Sequence, residues 1–251
     1  MRLDKYLHIN GFAESRNRAL ILLEKGLVKV NGKTEKPSYE VKDSDQIVVI
    51  SPIKYVSMGG YKLEKALQDF NIKLQDKICA DIGCSKGGFT QCLLNYGAKK
   101  VFAIDVTTAE LDNHLRQDDR VNLIEINARE MNENTFGLVD FLCVDCSFIS
   151  IKYIINNLKS VLKPNGEMVV LLKPQFECGE KSLTKKGLVK NKLILKKICQ
   201  DFCEYFISLG LYIKGFTNAP IRENKNIEFL FYLTQNKTDN IKNFKSIIDG
   251  I

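Results

Sequence analysis

Ile78-Cys79-Ala80-Asp81-Ile82-Gly83-Cys84-Ser85-Lys86-Gly87-Gly88-Phe89 is the stretch on which the fold turns. A short apolar run ends at a glycine. Three residues later a Gly-Gly pair opens a segment with helical periodicity, residues 88–96. This is a strand, a tight turn and a helix, with glycines where the backbone must pass close to a ligand.

The same alternation spreads outward from it. Apolar runs at 101–106, 121–126, 139–144, 168–172, 211–217 and 227–233 read as six more strands. Residues 62–70, 151–162 and 193–209 read as helices. Ile151, Ile154, Ile155, Leu158 and Leu162 recur at 3.6-residue spacing. Continuous apolar strands alternating with helices predict an α/β fold, with a seven-stranded, mostly parallel sheet covered on both faces. Ligands of such sheets bind at the carboxyl ends of the strands.

The loop chemistry narrows the ligand. A dinucleotide loop reads G-x-G-x-x-G and a phosphate loop ends in G-K-S/T; neither occurs here. Asp81 precedes the loop and Asp105 ends the second strand, where an acid accepts hydrogen bonds from ribose hydroxyls. An acid without a pyrophosphate cradle suits a ligand carrying an ammonium group, and S-adenosylmethionine has that character. The expected cofactor contacts are Asp81, Gly83, Cys84, Ser85, Gly87, Gly88, Phe89, Asp105, Asn127 and Asp145.

Four charged residues stand at strand or helix ends. Asp145 follows the strand 139–144, Lys173 follows 168–172, and Lys62 opens the helix before the first strand. Glu228 begins the last strand, and reaches the same edge if that strand runs antiparallel. Such a set suits methyl transfer to a hydroxyl. A lysine stabilises a developing alkoxide, or removes the proton if burial lowers its pKa. An enzyme methylating amines would carry an Asn/Asp-Pro-Pro-aromatic turn, where this chain has Asp145-Cys146-Ser147-Phe148.

The first fifty residues have their own pattern. Leu3, Leu7 and Ile9 begin an amphipathic stretch. Ser15 caps a helix over 16–25, Gly26 ends it, and 27–33 is a strand entering an Asn31-Gly32 turn. Residues 46–50 form a short strand, and 51–60 read as a linker before a second domain at 61–251.

Composition sets limits. The chain has 251 residues, a net charge of +7, eight Cys, two His and no Trp. No apolar run approaches the roughly 20 residues of a membrane helix. The N-terminus lacks an apolar signal core, so a cytoplasmic protein with reduced thiols is expected. Cys143 and Cys146 have C-x-x-C spacing without a second pair or a histidine nearby, so no metal is expected.

Taken together, these residues resemble the TlyA family of ribosomal-RNA 2′-O-methyltransferases, also known as hemolysins. The segment Arg2-Leu3-Asp4-Lys5-Tyr6-Leu7, with Ser15-Arg16, Ala19 and the turn at Gly26 to Gly32, looks like an S4 RNA-binding domain. The rest resembles an FtsJ-type domain: the glycine loop, Asp145 to Ser150, Leu172-Lys173-Pro174-Gln175-Phe176-Glu177 and Asn226-Ile227-Glu228-Phe229 match its motifs in order. The resemblance implies a Rossmann-like class I methyltransferase fold behind a small α+β domain. It implies a Lys-Asp-Lys-Glu catalytic set at Lys62, Asp145, Lys173 and Glu228, S-adenosylmethionine as cofactor, and a cytidine 2′-OH of ribosomal RNA as target. Relatives often read Arg-Ala-Trp-Val-Ser-Arg-Gly before the second domain; here Ile53-Lys54-Tyr55-Val56-Ser57-Met58-Gly59 replaces it. The short start before the S4 region resembles family members that modify the large subunit only.

The partner implied is ribosomal RNA or a ribosomal subunit, with no obligate protein partner. Its expected contacts are Arg2, Lys5, Arg16, Arg18, Lys25 and Lys29, and then Lys185 and Lys186. Residues 1–50 hold nine Lys/Arg and seven Asp/Glu, a net of only +2. Residues 181–197 hold seven Lys and no acid, which reads either as a solvated face or as a phosphate-binding surface. Two other functions compete with this one: an RNA-binding protein with a degenerate methyltransferase fold, and a pore-forming hemolysin. The intact loop and charged set speak against the first, the missing membrane segments against the second.

Overall fold

The computed structural model describes residues 1–13, 15–50 and 54–238. Residues 51–53 of the expected linker, and 239–251 of the expected second domain, lie outside the described residues. The chain forms two compact units, Met1–Lys54 and Tyr55–Ile251.

The first unit has helices α1 (Leu3–Ile9) and α2 (Arg16–Glu24) and an antiparallel pair, β1 (Val28–Val30) with β2 (Ile47–Val49). Ser15 caps α2, its Oγ accepting from Arg18 N at 3.2 Å. Asn31 and Gly32 take φ of 51° and 79°, and the turn closes through Val30 and Lys33. Leu3, Leu7, Ala19, Leu22, Val28 and Val30 make the core. Ile9, expected on the apolar face, is exposed. Two residues beyond Leu7, it has turned about 200° round the helix.

The second unit carries a seven-stranded sheet in the order β5-β4-β3-β6-β7-β9-β8. Its strands are β3 (Ile78–Ile82), β4 (Lys100–Asp105), β5 (Val121–Glu125), β6 (Val139–Val144), β7 (Leu162–Leu172), β8 (Tyr212–Asn218) and β9 (Phe229–Thr234). Among the described strands only β9 runs against its neighbours. Its helices are α3 (Met58–Asp69), α4 (Gly88–Asn95), α5 (Asn113–Arg116), α6 (Ile155–Ser160) and α7 (Lys192–Ser208).

Alternation along the strands divides the core in two. Leu142, Val144, Met168, Val170, Phe229 and Phe231 join α6 and α7 on one side. Phe141, Cys143, Val169, Leu171, Leu230 and Tyr232 join α3 and α4 on the other. A period of two on strands buried on both faces requires this split.

Helix α5 has no counterpart in the sequence reading, and three other elements differ most from expectation. Helix α3 starts at Met58 rather than residue 62, capped by Ser57, whose Oγ accepts from Gly59 N at 3.2 Å. The helix expected over 151–162 is a 3₁₀ turn, Ile151–Tyr153, and then α6; Ile154 at φ −121° separates them. Strand β7 starts at Leu162 rather than 168, because a bulge absorbs the intervening residues: Val139 faces Leu162 and Phe141 faces Glu167.

Candidate active site

The loop after β3 is pinned between two other strands. Gly83 N and Cys84 N donate to Ile104 O at 2.8 and 3.0 Å. Gly83 has φ 84°, and a Cβ on it would stand 3.0 Å from Asp145 O. Glycine is therefore required both by conformation and by the approach of β6. Asp105 accepts Ser85 N at 2.9 Å and Val106 N at 2.8 Å, which fixes its carboxylate at the end of β4.

A cavity of ≈ 500 Å³ opens beside it, at the carboxyl edge of the sheet. Gly83, Ser85, Asp105, Asn127 and Asp145 line it among the expected residues. Ile104, Val106, Ile126, Ala128 and Ile149 give it apolar walls. A second cavity of ≈ 170 Å³ shares Gly83, Ser85 and Asp145, and adds Lys62, Cys84, Gly88, Phe89 and Lys173.

The four charged residues meet. Lys173 Nζ lies 2.6 Å from Asp145 Oδ1, and Lys62 Nζ lies 2.6 Å from Glu228 Oε2. Lys62 Nζ also stands 3.9 Å from Asp145 Oδ2, joining the pairs into one network. The antiparallel run of β9 makes this possible: Phe229 pairs with Leu172, so Glu228 arrives at the edge where Lys173 leaves β7. Lys173 is 7% exposed, and its ammonium also donates to Ser147 Oγ at 2.7 Å. Two lysines and two carboxylates, each side chain less than a fifth exposed, form a compact, preorganised charge set.

Two expected contacts fall elsewhere. Asp81 lines neither cavity. It is fully buried and accepts a hydrogen bond from Thr90 Oγ1 at 2.6 Å; burial pushes its carboxyl up to about 7. An acid at the end of a strand that is buried on both faces is turned into the core, not toward the ligand. Gly87, at φ 90°, lies over Leu111 and Leu115 and also lines neither cavity.

Other residues were not foreseen. Ser147 receives Lys173. Phe148 is 91% exposed at the rim of the larger cavity, at φ 63°, with its ring 5.3 Å from that of Phe176. Glu177 accepts Ser150 Oγ at 2.5 Å and Ile151 N at 3.0 Å, bracing the loop after β6 against the loop after β7. Burial raises the Glu177 carboxyl above its usual range. Ser147, Phe148, Ser150 and Glu177 all lie inside the motif stretches quoted above, but residue type alone assigns none of them a role. All eight cysteines are free. Cys146 lines the larger cavity, and burial pushes its thiol up to about 12. Among the described residues no cluster of His, Cys, Asp or Glu could hold a metal ion, and no helix is long and apolar enough to cross a membrane.

In the first unit, Arg2 and Arg16 are not free cations. Asp4, 1% exposed, takes Arg2 Nε at 3.1 Å and Arg16 Nε at 2.8 Å, and the two guanidiniums hold its carboxyl down at about 2. Lys5 and Lys25 are exposed; Arg18 and Lys29 are half-buried. Lys185 and Lys186 are exposed in the second unit.

Known proteins show the same division. Residues 55–236 match the FtsJ-like methyltransferases, and residues 1–47 match the S4 domain. Hemolysin A of Brachyspira hyodysenteriae is 42% identical over 92% of this chain and 98% of its own. The 16S/23S rRNA (cytidine-2′-O)-methyltransferase TlyA of Mycobacterium tuberculosis is 32% identical over 100% of this chain and 95% of its own. A solved structure from Streptococcus thermophilus, provisionally named a hemolysin, is 36% identical with a TM-score of 0.76, covering 100% of this chain and 94% of that one. The chain therefore belongs to the TlyA family of FtsJ-like methyltransferases, with an S4 domain at its N-terminus.

Proposed function

We propose that the chain transfers a methyl group from S-adenosylmethionine to a cytidine 2′-hydroxyl of ribosomal RNA. The observation that carries this reading is the network of Lys62, Asp145, Lys173 and Glu228 beside the cavity at the carboxyl edge.

The residues present fit the cofactor. Asp105 offers a fixed carboxylate for a ribose diol, and the apolar slot of Ile104, Val106, Ile126 and Ile149 suits a purine. Asn127 lines the same cavity and offers it an amide, and the small cavity at Gly83, Gly88 and Phe89 suits the charged aminoacyl end. Bound there, the cofactor supplies an electrophilic methyl group on a sulfonium. The chain's own groups do the rest. The Lys173 ammonium, held by Asp145 and Ser147, stabilises negative charge on the attacking 2′-oxygen as the hydroxyl proton passes to solvent. Lys62, held by Glu228, orients the target ribose, so that in-line geometry contributes much of the rate. Phe148 offers an exposed face on which a nucleobase drawn out of its stack can rest. Arg2, Lys5, Arg16, Arg18, Lys25 and Lys29 of the S4 domain bind RNA phosphates. Asp4 holds two of these in a fixed fork.

Labelled cofactor and isolated ribosomal subunits test this directly. Lys173→Ala is expected to lower methyl transfer about 10²-fold or more while the cofactor still binds. Undiminished labelling would refute the mechanism. Mapping the methylated nucleotide on each subunit identifies the target.

A further inference from the structure

The acid-free lysine stretch contains a closed turn. Thr184 N donates to Leu188 O at 2.9 Å, Gly187 N to Thr184 O at 2.8 Å, and Leu188 N to Thr184 Oγ1 at 3.1 Å. Gly187 supplies the left-handed conformation the turn needs, at φ 71°. Lys185 and Lys186 occupy its tip, both exposed, and neither pairs with an acid among the described residues.

The turn is not loosely attached. The side-chain amide of Asn226 accepts Val189 N at 2.8 Å and donates to Gly187 O at 2.9 Å. One amide thus copies a rung of a β-ladder. Val189 is buried in the core beneath α7, and Ile227 packs against the same cluster, so both ends of this rung are anchored. Asn226 stands two residues before Glu228, whose carboxylate holds Lys62 at 2.6 Å. One short segment therefore carries both the base of the lysine turn and an acid of the charged network.

Paired ammonium groups on a pinned turn suit phosphate oxygens. Lysine is a compact point charge, and the tip offers no ring for stacking on a base. Fixing the backbone beforehand lowers the entropy lost on binding. We propose that residues 184–188 form a phosphate grip for the RNA substrate, and that Asn226 is the positioning residue that fixes this grip to the segment carrying Glu228. This rests on the reading of the chain as an RNA methyltransferase.

The test measures binding to isolated ribosomal subunits by sedimentation, between about 50 and 200 mM salt, beside methyl transfer from labelled cofactor. Lys185→Glu with Lys186→Glu is expected to weaken binding on the order of tenfold, and to make the log–log salt slope shallower by about one to two. Cofactor affinity should not change. Asn226→Ala should flatten the same slope and lower kcat as well. The triple variant should bind no worse than the lysine pair, because the amide acts through the turn. An unchanged slope in the lysine variant overturns the grip. A lower unfolding temperature with a wild-type slope in Asn226→Ala, or effects that multiply in the triple variant, overturns the positioning role. If the wild type binds subunits but transfers no methyl group, the methyltransferase reading falls while the grip is still judged on its slope. If it binds none, both fall.

Discussion

Asp81, just before the glycine loop, is a carboxyl with no exposure to solvent. Its place before the glycine loop is clear in the sequence, and it was expected to meet the ligand. Burial on both faces of the sheet instead leaves it with Thr90 as its hydrogen-bond donor. Desolvation raises its carboxyl most, the Thr90 hydrogen bond opposes this, and the nearby carboxylates Asp145 and Asp105 raise it further, to about 7. The same group in an unfolded chain titrates near about 4. Between these values the folded state holds a proton that the unfolded state has lost. The stability from this group is therefore complete below about pH 4, falls as pH rises to about 7, and is flat above that. Asp81→Asn removes this titration. The unfolding temperature of the variant, relative to wild type, is expected to rise steadily from pH 4 to pH 7 in a circular-dichroism series. Parallel curves for the two proteins would contradict it.

At the scale of elements, α3 and α4 approach each other closely beside the site. A Cβ on Gly88 would lie 2.1 Å from Ser57 Oγ and 2.8 Å from Gly60 N. The Ser57 side chain can turn away, but the Gly60 backbone cannot do so without shifting the first turn of α3, the helix that carries Lys62. Gly88→Ala is expected to cost about 1–3 kcal/mol by thermal unfolding and to weaken cofactor binding in equilibrium dialysis. Gly179→Ala, with nothing within 4 Å of the added atom and no left-handed φ, serves as the control and should change neither. The same contact accounts for the start of α3 at Met58. Met58-Gly59-Gly60 has the composition of a linker, yet these glycines are small because two helices meet there. Strand β7 was shortened for a similar reason: Pro164, Asn165 and Gly166 carry breaker signals, and the bulge holds them inside the ladder. What the sequence does reveal is whatever depends on period. The seven strands and the two-sided core follow from the apolar runs, whereas the antiparallel return that delivers Glu228 stands there only as a condition and is settled by the pairing of β9 with β7. What it hides depends on contacts between distant loops, such as Ser150 with Glu177, or Gly187 with Asn226, which leave no periodic trace.

For the whole molecule, the question is where one folding unit ends and the next begins. A composition shift suggested that the second domain starts at residue 61, after a linker. The packing argues for an earlier start. Tyr55 is fully buried in the α3–α4 core, its ring edge-on to Tyr61 at 5.1 Å, and its hydroxyl donates to Glu64 at 3.0 Å. Val56 N donates to Gln91 Oε1 at 2.7 Å, tying the same segment to α4. The buried cluster of Leu3, Leu7, Leu22 and Val28 belongs to the first unit alone. Two truncations separate the alternatives. Residues 55–251 keep every buried side chain of the second unit, and are expected to fold and bind S-adenosylmethionine as the full chain does. They should lose affinity for ribosomal subunits, because the cations of the S4 domain are gone. Residues 61–251 lack Tyr55, and should be less stable by about 3–5 kcal/mol, the usual cost of deleting a buried aromatic side chain. They also lack Ser57, the cap of α3. Urea unfolding of the two fragments reads the difference. If residues 61–251 were as stable as residues 55–251, Tyr55 would be a linker residue after all. If residues 55–251 bound subunits as tightly as the full chain, RNA binding would belong to the second unit, and the lysine turn at 184–188 would be its leading carrier.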